Sequence, residues 1–225
     1  GDPLLRDGGA QTQSAIARAD ITDRNGVLLA TTVRAYALTA VPARVWNANE
    51  TAGALMRLFP DLNRADTVRR LSDRDRDLVY LRRGLTPAQR EAVLTLGLGG
   101  IGFETEDRRV YPQGTMAAHA LGFTDVDQKP LAGVERGLDA QIRAAGAEGR
   151  PLALSLDVRM QYALESELDS AARAAGSSGA AAILLNARTG ETLALASWPS
   201  FDPNNAGAAP AAGRRDRVTG DLNEL

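Results

Sequence analysis

Apolar positions along this chain recur with two spacings, every second residue or every third to fourth, and the changes between them predict the elements. Ile21 and Val27–Leu29 flank the polar run Asp23-Arg24-Asn25-Gly26. Asn-Gly between two apolar segments predicts a hairpin, because both residue types tolerate positive φ. Arg34–Val41, with Tyr36, Leu38 and Ala40 on one face, predicts a further strand closed by Pro42. From about 43 to 102 the spacing is mainly helical. Asn49 is placed to cap a helix carrying Leu55, Met56 and Phe59 and ended by Pro60, and 63–71 predicts a shorter one. Leu78–Leu81 predicts a brief strand. Thr86-Pro87-Ala88-Gln89 is a capping box with proline at the first helical position, so a helix runs from it through Val93, Leu94 and Leu96 to Gly97. Glycines as far as Gly102 predict a loop, and Phe103–Val110 a strand.

Thr115–Leu121 predicts a short helix stopped by Gly122, and Ala132–Ala145 a longer one. Residues 146–150 read as a linker, after which Leu152–Leu156 alternates as a strand. Asp157 then caps a helix whose apolar stripe is Met160, Leu164, Leu168, Ala171 and Ala175. Ala180–Leu185 and Thr192–Ser197 predict two strands around Ala187-Arg188-Thr189-Gly190, the first apolar on both faces, as in a strand buried within a larger sheet. Residues 1–15 are polar and glycine-rich, a flexible lead-in, and the tail from Pro199 reads as a long loop.

Composition narrows the chemistry. The 225 residues are 44% hydrophobic with a net charge of -2, which fits a globular chain and gives its surface no excess charge for nucleic acid. There is no cysteine, so thiol catalysis and Cys-ligated zinc are excluded, and His119 is the single histidine. No unbroken apolar stretch is long enough to cross a bilayer.

Motif by motif, no catalytic centre emerges. Gly97-Leu98-Gly99-Gly100-Ile101-Gly102 follows a helix and precedes a strand, the reverse of a dinucleotide fingerprint. A Ser-x-x-Lys acyl-transfer motif needs lysine one helical turn after the nucleophile. The sole lysine, Lys129, follows Val126 at that spacing. Arg188-Thr189-Gly190 reads as a hairpin tip. His119 is one turn from Thr115 but has no nucleophile at a recognisable spacing, so it reads as structural. The pairs Glu104/Glu106, Asp125/Asp127 and Glu165/Glu167 read as solvated faces. The run Arg69, Arg70, Arg74 and Arg76 is interleaved with Asp73, Asp75 and Asp77 and is nearly neutral.

Five segments in order nevertheless resemble the non-catalytic N-terminal half of class B penicillin-binding proteins, the monofunctional D,D-transpeptidases of cell-wall elongation and division. Arg18-Ala19-Asp20-Ile21-Thr22-Asp23-Arg24-Asn25-Gly26 resembles the family's Arg-Gly-x-Ile-x-Asp-Arg-Asn-Gly, with Ala19 where glycine is usual. Arg109-Val110-Tyr111-Pro112-Gln113-Gly114 with His119 and Gly122 resembles Arg-x-Tyr-Pro-x-Gly…His-x-x-Gly, and Gly133-Val134-Glu135 its Gly-x-Glu. Ser155-Leu156-Asp157 with Gln161 resembles the junction into the catalytic domain. Residues 190–197 with Pro199, Phe201, Asp202, Pro203 and Asn204 resemble its first hairpin and following loop, with details nearer the division-specific branch.

The resemblance implies an α+β fold. Residues 16–150 form a pedestal built of strands from separated segments, with a helical head insertion at about 43–102. Residues 151–225 form the first helix and hairpin of a transpeptidase domain, ending before its Ser-x-x-Lys. It implies no catalytic residue, cofactor or metal in this chain, whose role is to position the transpeptidase that cross-links peptidoglycan in septal wall synthesis. The implied partners are its own transpeptidase domain and other membrane-anchored cell-wall synthesis and division proteins, bound through the head. The parent would lie on the periplasmic face of the bacterial inner membrane, held by a single span upstream of Gly1, with the fragment itself soluble. Self-association is also expected, since an uncovered Ala180–Leu185 offers a strand edge. Arg18, Asp23, Arg24, Arg109 and Glu135 supply both signs and predict partly buried ion pairs locking the strands. The competing reading is a self-sufficient hydrolase or transferase using His119 or a carboxylate pair.

Overall fold

The structure, a computed structural model, describes residues 18–220, so the lead-in expected at 1–15 lies outside the described residues. In chain order the elements are β1 (Ile21–Thr22), β2 (Leu28–Ala40), α1 (Ala48–Leu58), α2 (Arg64–Ser72), β3 (Val79–Leu85), α3 (Pro87–Thr95) and β4 (Ile101–Val110). They continue with α4 (Ala118–Leu121), α5 (Gly133–Gly137), α6 (Asp139–Ala147), β5 (Leu152–Ala153), α7 (Val158–Ala174), β6 (Ala180–Leu185) and β7 (Thr192–Trp198). 3-10 turns occupy Pro42–Arg44 and, interrupted at Asn205, Pro203–Ala208. The fold is α+β. Two compact units divide it: 18–32, 110–125 and 129–220 form one, and 33–109 with 126–128 the other.

In the first unit β1 pairs antiparallel with the start of β2, Ile21 opposite Ala30, and parallel with β5, Ile21 opposite Leu152. The turn between β1 and β2 is held by Asp23, whose Oδ1 accepts the N–H groups of Asn25 and Val27, both at 2.8 Å. Only Gly26 takes positive φ there, at 85°. Ile21, Leu29, Tyr111, Leu121, Ile142 and Leu156 bury one another behind this sheet. Each such side chain contributes about 1.5–3 kcal/mol by leaving water. α7 packs on the two-stranded β6–β7 sheet.

In the second unit β2 pairs antiparallel with β3 and also with β4. Leu38, Leu55, Phe59, Leu71, Leu85 and Val93 form its core. The capping box closes as predicted: Gln89 N–H donates to Thr86 Oγ1, and Thr86 N–H to Gln89 Oε1.

Several local expectations are corrected. The hairpin's second strand and the strand at 34–41 are one continuous β2, because nothing between Leu28 and Ala40 breaks the extended backbone. Asn47, not Asn49, caps α1; its Oδ1 accepts the N–H groups of Asn49 and Glu50. The brief strand at 78–81 extends as β3 to Leu85. The helix expected over 132–145 is two, broken at Leu138 (φ -115°, ψ 24°). On α7 the buried face runs through Gln161 and Ala172 rather than Met160, Ala171 and Ala175, which are exposed. The tail is not a plain loop, since Phe201 and Ala206 pack against Ala118.

Candidate functional site

Three of the motif segments meet in the first unit around one buried ion pair. Arg18 leads into β1 and Glu135 sits on α5, and both side chains are at most 2% exposed. Arg18 Nη2 lies 2.5 Å from Glu135 Oε2 and also donates to the Glu135 carbonyl at 3.1 Å; Nε donates to Oε2 at 3.2 Å. Nη1 donates to Asp139 at the start of α6. Burial pulls the Arg18 pKa down, but Asp139 and Glu135 outweigh it and hold the guanidinium above its ordinary value. Burial pushes Asp139 up, and the arginines Arg18 and Arg143 bring it below the usual carboxylate range. Tyr111 is buried beside them, its hydroxyl oxygen accepting the Thr124 N–H at 3.1 Å. One cation thus ties the lead into β1 to two helices more than a hundred residues away.

A second knot joins the β1–β2 turn to the start of α7. Asp23 Oδ2 accepts from the Val158 N–H, and Asn25 Nδ2 bridges Asp23 and Asp157 at 3.2 Å each. Burial raises the Asp23 pKa, and the N–H groups of Val27, Val158 and Asn25 more than reverse it, so the carboxylate stays ionised. Arg159, with help from Asn25, holds Asp157 far below the usual range. The Arg24 backbone N–H donates to the Leu156 carbonyl at 2.9 Å, but its side chain takes no part and faces Glu191 at 3.7 Å in partial solvent. Arg109 is buried at the end of β4, in the second unit.

Gly122 and Gly133 form a third. A Cβ on Gly122 would stand 2.0 Å from the Ala132 carbonyl oxygen, and one on Gly133 2.4 Å from the Gly122 nitrogen. Gly122 also adopts φ 72°, ψ -153°, a region closed to side chains. Two motif glycines are therefore one backbone-to-backbone contact. Gly114 has φ 61° and donates its N–H to the Tyr111 carbonyl, closing the turn over the exposed Pro112. Ala19 needs no positive φ, and its methyl joins the core, which is why alanine fits there.

His119 is 6% exposed, donates from Nε2 to the Gly213 carbonyl at 2.8 Å and meets Phe201 edge-on. Burial lowers its pKa. It borders a cavity of about 610 Å³ with Gly122, Gly133, Leu156 and Phe201, but no serine nucleophile faces it there: Ser155 Oγ donates to the Thr192 carbonyl. The carboxylate pairs are engaged separately. Glu104 accepts from Tyr80 and Glu106 from Arg83; Asp127 pairs with Arg83 and Asp125 with the Lys129 N–H; Glu165 accepts the Ala117 N–H. Among the described residues no cluster of His, Asp or Glu side chains could hold a metal ion, and no helix is long and apolar enough to cross a membrane.

The geometry is that of a structural junction. The penicillin-binding protein dimerisation domain matches residues 13–146. The chain belongs to the penicillin-binding protein family. A Caulobacter vibrioides protein named probable peptidoglycan D,D-transpeptidase FtsI is 45% identical over 210 residues, covering 93% of this chain and 35% of its own length. Escherichia coli FtsI is 31% identical over 258 residues, covering 99% of this chain and 43% of the relative. The chain thus spans well under half of each. Penicillin-binding protein 2X of Streptococcus thermophilus shares the fold, with a TM-score of 0.54 at 21% identity, over 87% of this chain and 36% of that one.

Sequence reasoning missed one member of this junction, Asp139, and named Asn204 and Gln161 as motif positions without their contacts. Asp139 lies one turn beyond the Gly-x-Glu segment and gave no separate signal. Asn204 carries a side-chain amide that pairs with both the N–H (2.9 Å) and C=O (3.0 Å) of Tyr111, the pattern of a strand partner. Gln161 does the same for Leu195 on β7. Its place after Ser155-Leu156-Asp157 in the motif order was the available signal.

Proposed function

We propose that this chain is the non-catalytic pedestal of a class B penicillin-binding protein, together with the start of its transpeptidase domain. The carrying observation is that Arg18, Tyr111 and Glu135, from three separate motif segments, converge on one buried junction that presents no nucleophile–base pair. Such a junction positions rather than reacts. Residues 16–150 are the pedestal, about 43–102 its head, and 151–225 the first helix and hairpin of the transpeptidase domain. The relatives' names supply the activity served, peptidoglycan D,D-transpeptidation in cell-wall synthesis. On this reading the parent stands on the periplasmic face of the inner membrane on a single upstream span, and the head receives other envelope proteins of wall synthesis.

A labelled β-lactam tests the catalytic half of the proposal. The intact folded chain should take no covalent label, because it holds no serine with a lysine one turn on. Label on the folded chain would refute it. Photocross-linking from 43–102 in the full-length parent tests the partner half, with capture of envelope proteins expected and capture only of cytosolic machinery contradicting it.

A further inference from the structure

The head carries a feature that its own stability does not need. Trp46 is 97% exposed, the most exposed large hydrophobic among the described residues. Its backbone is nonetheless fixed. Val45 beside it is buried and donates its N–H to Pro42, Asn47 on the other side caps α1, and Gly100 packs so closely on Arg44 and Val45 that a Cβ would stand 2.8 Å away. A rigid backbone presenting a bare indole is how an aromatic anchor is pre-organised for a partner.

Trp46 lines a groove of about 630 Å³. Glu50, Gly53, Ala54 and Arg57 line it from one face of α1, and Arg64 and Leu98 line it as well. Glu50 precedes Gly53 and Ala54 by three and four residues, and these precede Arg57 by four and three, so they form a stripe along the helix. Gly53 lines the groove too, and an added Cβ there would meet only Arg64 Nη1, at 3.9 Å. The charges are uncompensated. Arg69 and Arg70 pair with Asp66, and Arg82 with Asp61, whereas among the described residues Arg57 and Arg64 pair with no carboxylate. Two guanidiniums against the single Glu50 leave the groove cationic.

We propose that this groove docks a short, extended, acidic segment of another protein, its carboxylates answering Arg57 and Arg64 and an apolar side chain lying on Trp46. From Glu50 to Arg57 α1 rises about 10 Å, the span of about three extended residues, so the recognised motif is short. Carboxylate bound by guanidinium is the strong, directional form of such a contact. The inference rests on the reading of the head as a recognition element and names the chemistry of what that element binds.

A fluorescein-labelled decapeptide alternating glutamate with leucine, titrated against the chain and read by anisotropy, tests it. Saturable binding is expected, weakening from about 50 to about 300 mM salt. Trp46→Ala and the double change Arg57→Glu/Arg64→Glu should each weaken it about tenfold or more, as should Gly53→Leu by filling the groove. Arg74→Ala should leave it unchanged, and all variants should keep the parent melting temperature. Equal binding of the lysine-for-glutamate peptide, or indifference to Trp46→Ala, overturns the proposal. So does a groove that instead binds soluble peptidoglycan disaccharide, or a second copy of the chain by sedimentation. Cross-linking across 43–102 in the parent separates the two claims: capture of an envelope protein away from the groove keeps the head's role while this inference falls.

Discussion

Arg18 and Glu135 form a pair buried on both sides, so removing Arg18 strands the Glu135 carboxylate, and removing Glu135 leaves the buried guanidinium only the partly exposed Asp139. Arg18→Ala or Glu135→Ala should therefore cost about 3–5 kcal/mol in denaturant unfolding. Arg24→Ala, which loses a partly solvated pair with Glu191, should cost under about 1 kcal/mol. Equal small losses would show that the buried pair locks nothing. His119 makes a second residue-scale prediction. Burial depresses its folded pKa below the ordinary 6.5, so the unfolded chain takes up a proton first as pH falls. Stability is unaffected well above pH 6.5 and declines as pH drops from there through the folded value. His119→Gln keeps a donor for the Gly213 carbonyl and removes the titration. The melting temperature of the variant should lack that downward step, and Glu165, whose burial-raised pKa acts in the opposite sense, is common to both proteins and cancels in the difference. A wild type and variant with parallel profiles would exclude the histidine.

At the scale of elements, two contacts carry the junctions between helices and strands. The α4–α5 approach runs through Gly122 and Gly133, where no side chain fits. Gly122→Ala combines a forbidden backbone region with a clash against the Ala132 carbonyl, and should cost more than about 2 kcal/mol. Gly26→Ala is the control: its φ of 85° is strained but nothing lies within 4 Å of the new methyl, so about 1–2 kcal/mol is expected. The α7–β7 contact runs through Gln161. Gln161→Leu keeps the bulk and leaves the Leu195 N–H and carbonyl without their partner, a loss of about 1–3 kcal/mol. Amide exchange at Leu195 should accelerate in that variant more than at Leu55 in the second unit. Equal acceleration at both would mean that the substitution had loosened the whole chain.

For the molecule as a whole, β6 keeps an open edge and partly bare side chains: Ile183, Leu184 and Leu185 are 46%, 39% and 51% exposed on a two-stranded sheet. An open apolar edge favours pairing, so sedimentation should show weak, concentration-dependent association that Leu184→Lys abolishes without lowering the melting temperature. A monomer at all concentrations would show that the edge is inert. Much of the architecture was legible from local rules. The Asp23–Gly26 turn, the Thr86 capping box, the Asp157 cap and the β6–β7 hairpin depend on residues within a few positions of one another, and short-range chemistry decides them. The motif order likewise marked Arg18, Tyr111, Gly122 and Glu135 together. What the sequence could not say is which partner each would meet. Asn49 and Asn47 are equivalent as caps until the chain geometry selects one. The α7 stripe is misread because Gln161 is buried for the backbone of a strand that follows it by more than thirty residues. Arg18 and Arg24 look alike in sequence, yet Glu135 and Asp139 surround the first and solvent the second. Local hydrogen bonding and periodicity are properties of neighbouring residues, whereas burial is a property of everything else that packs there, and only the tertiary structure supplies it.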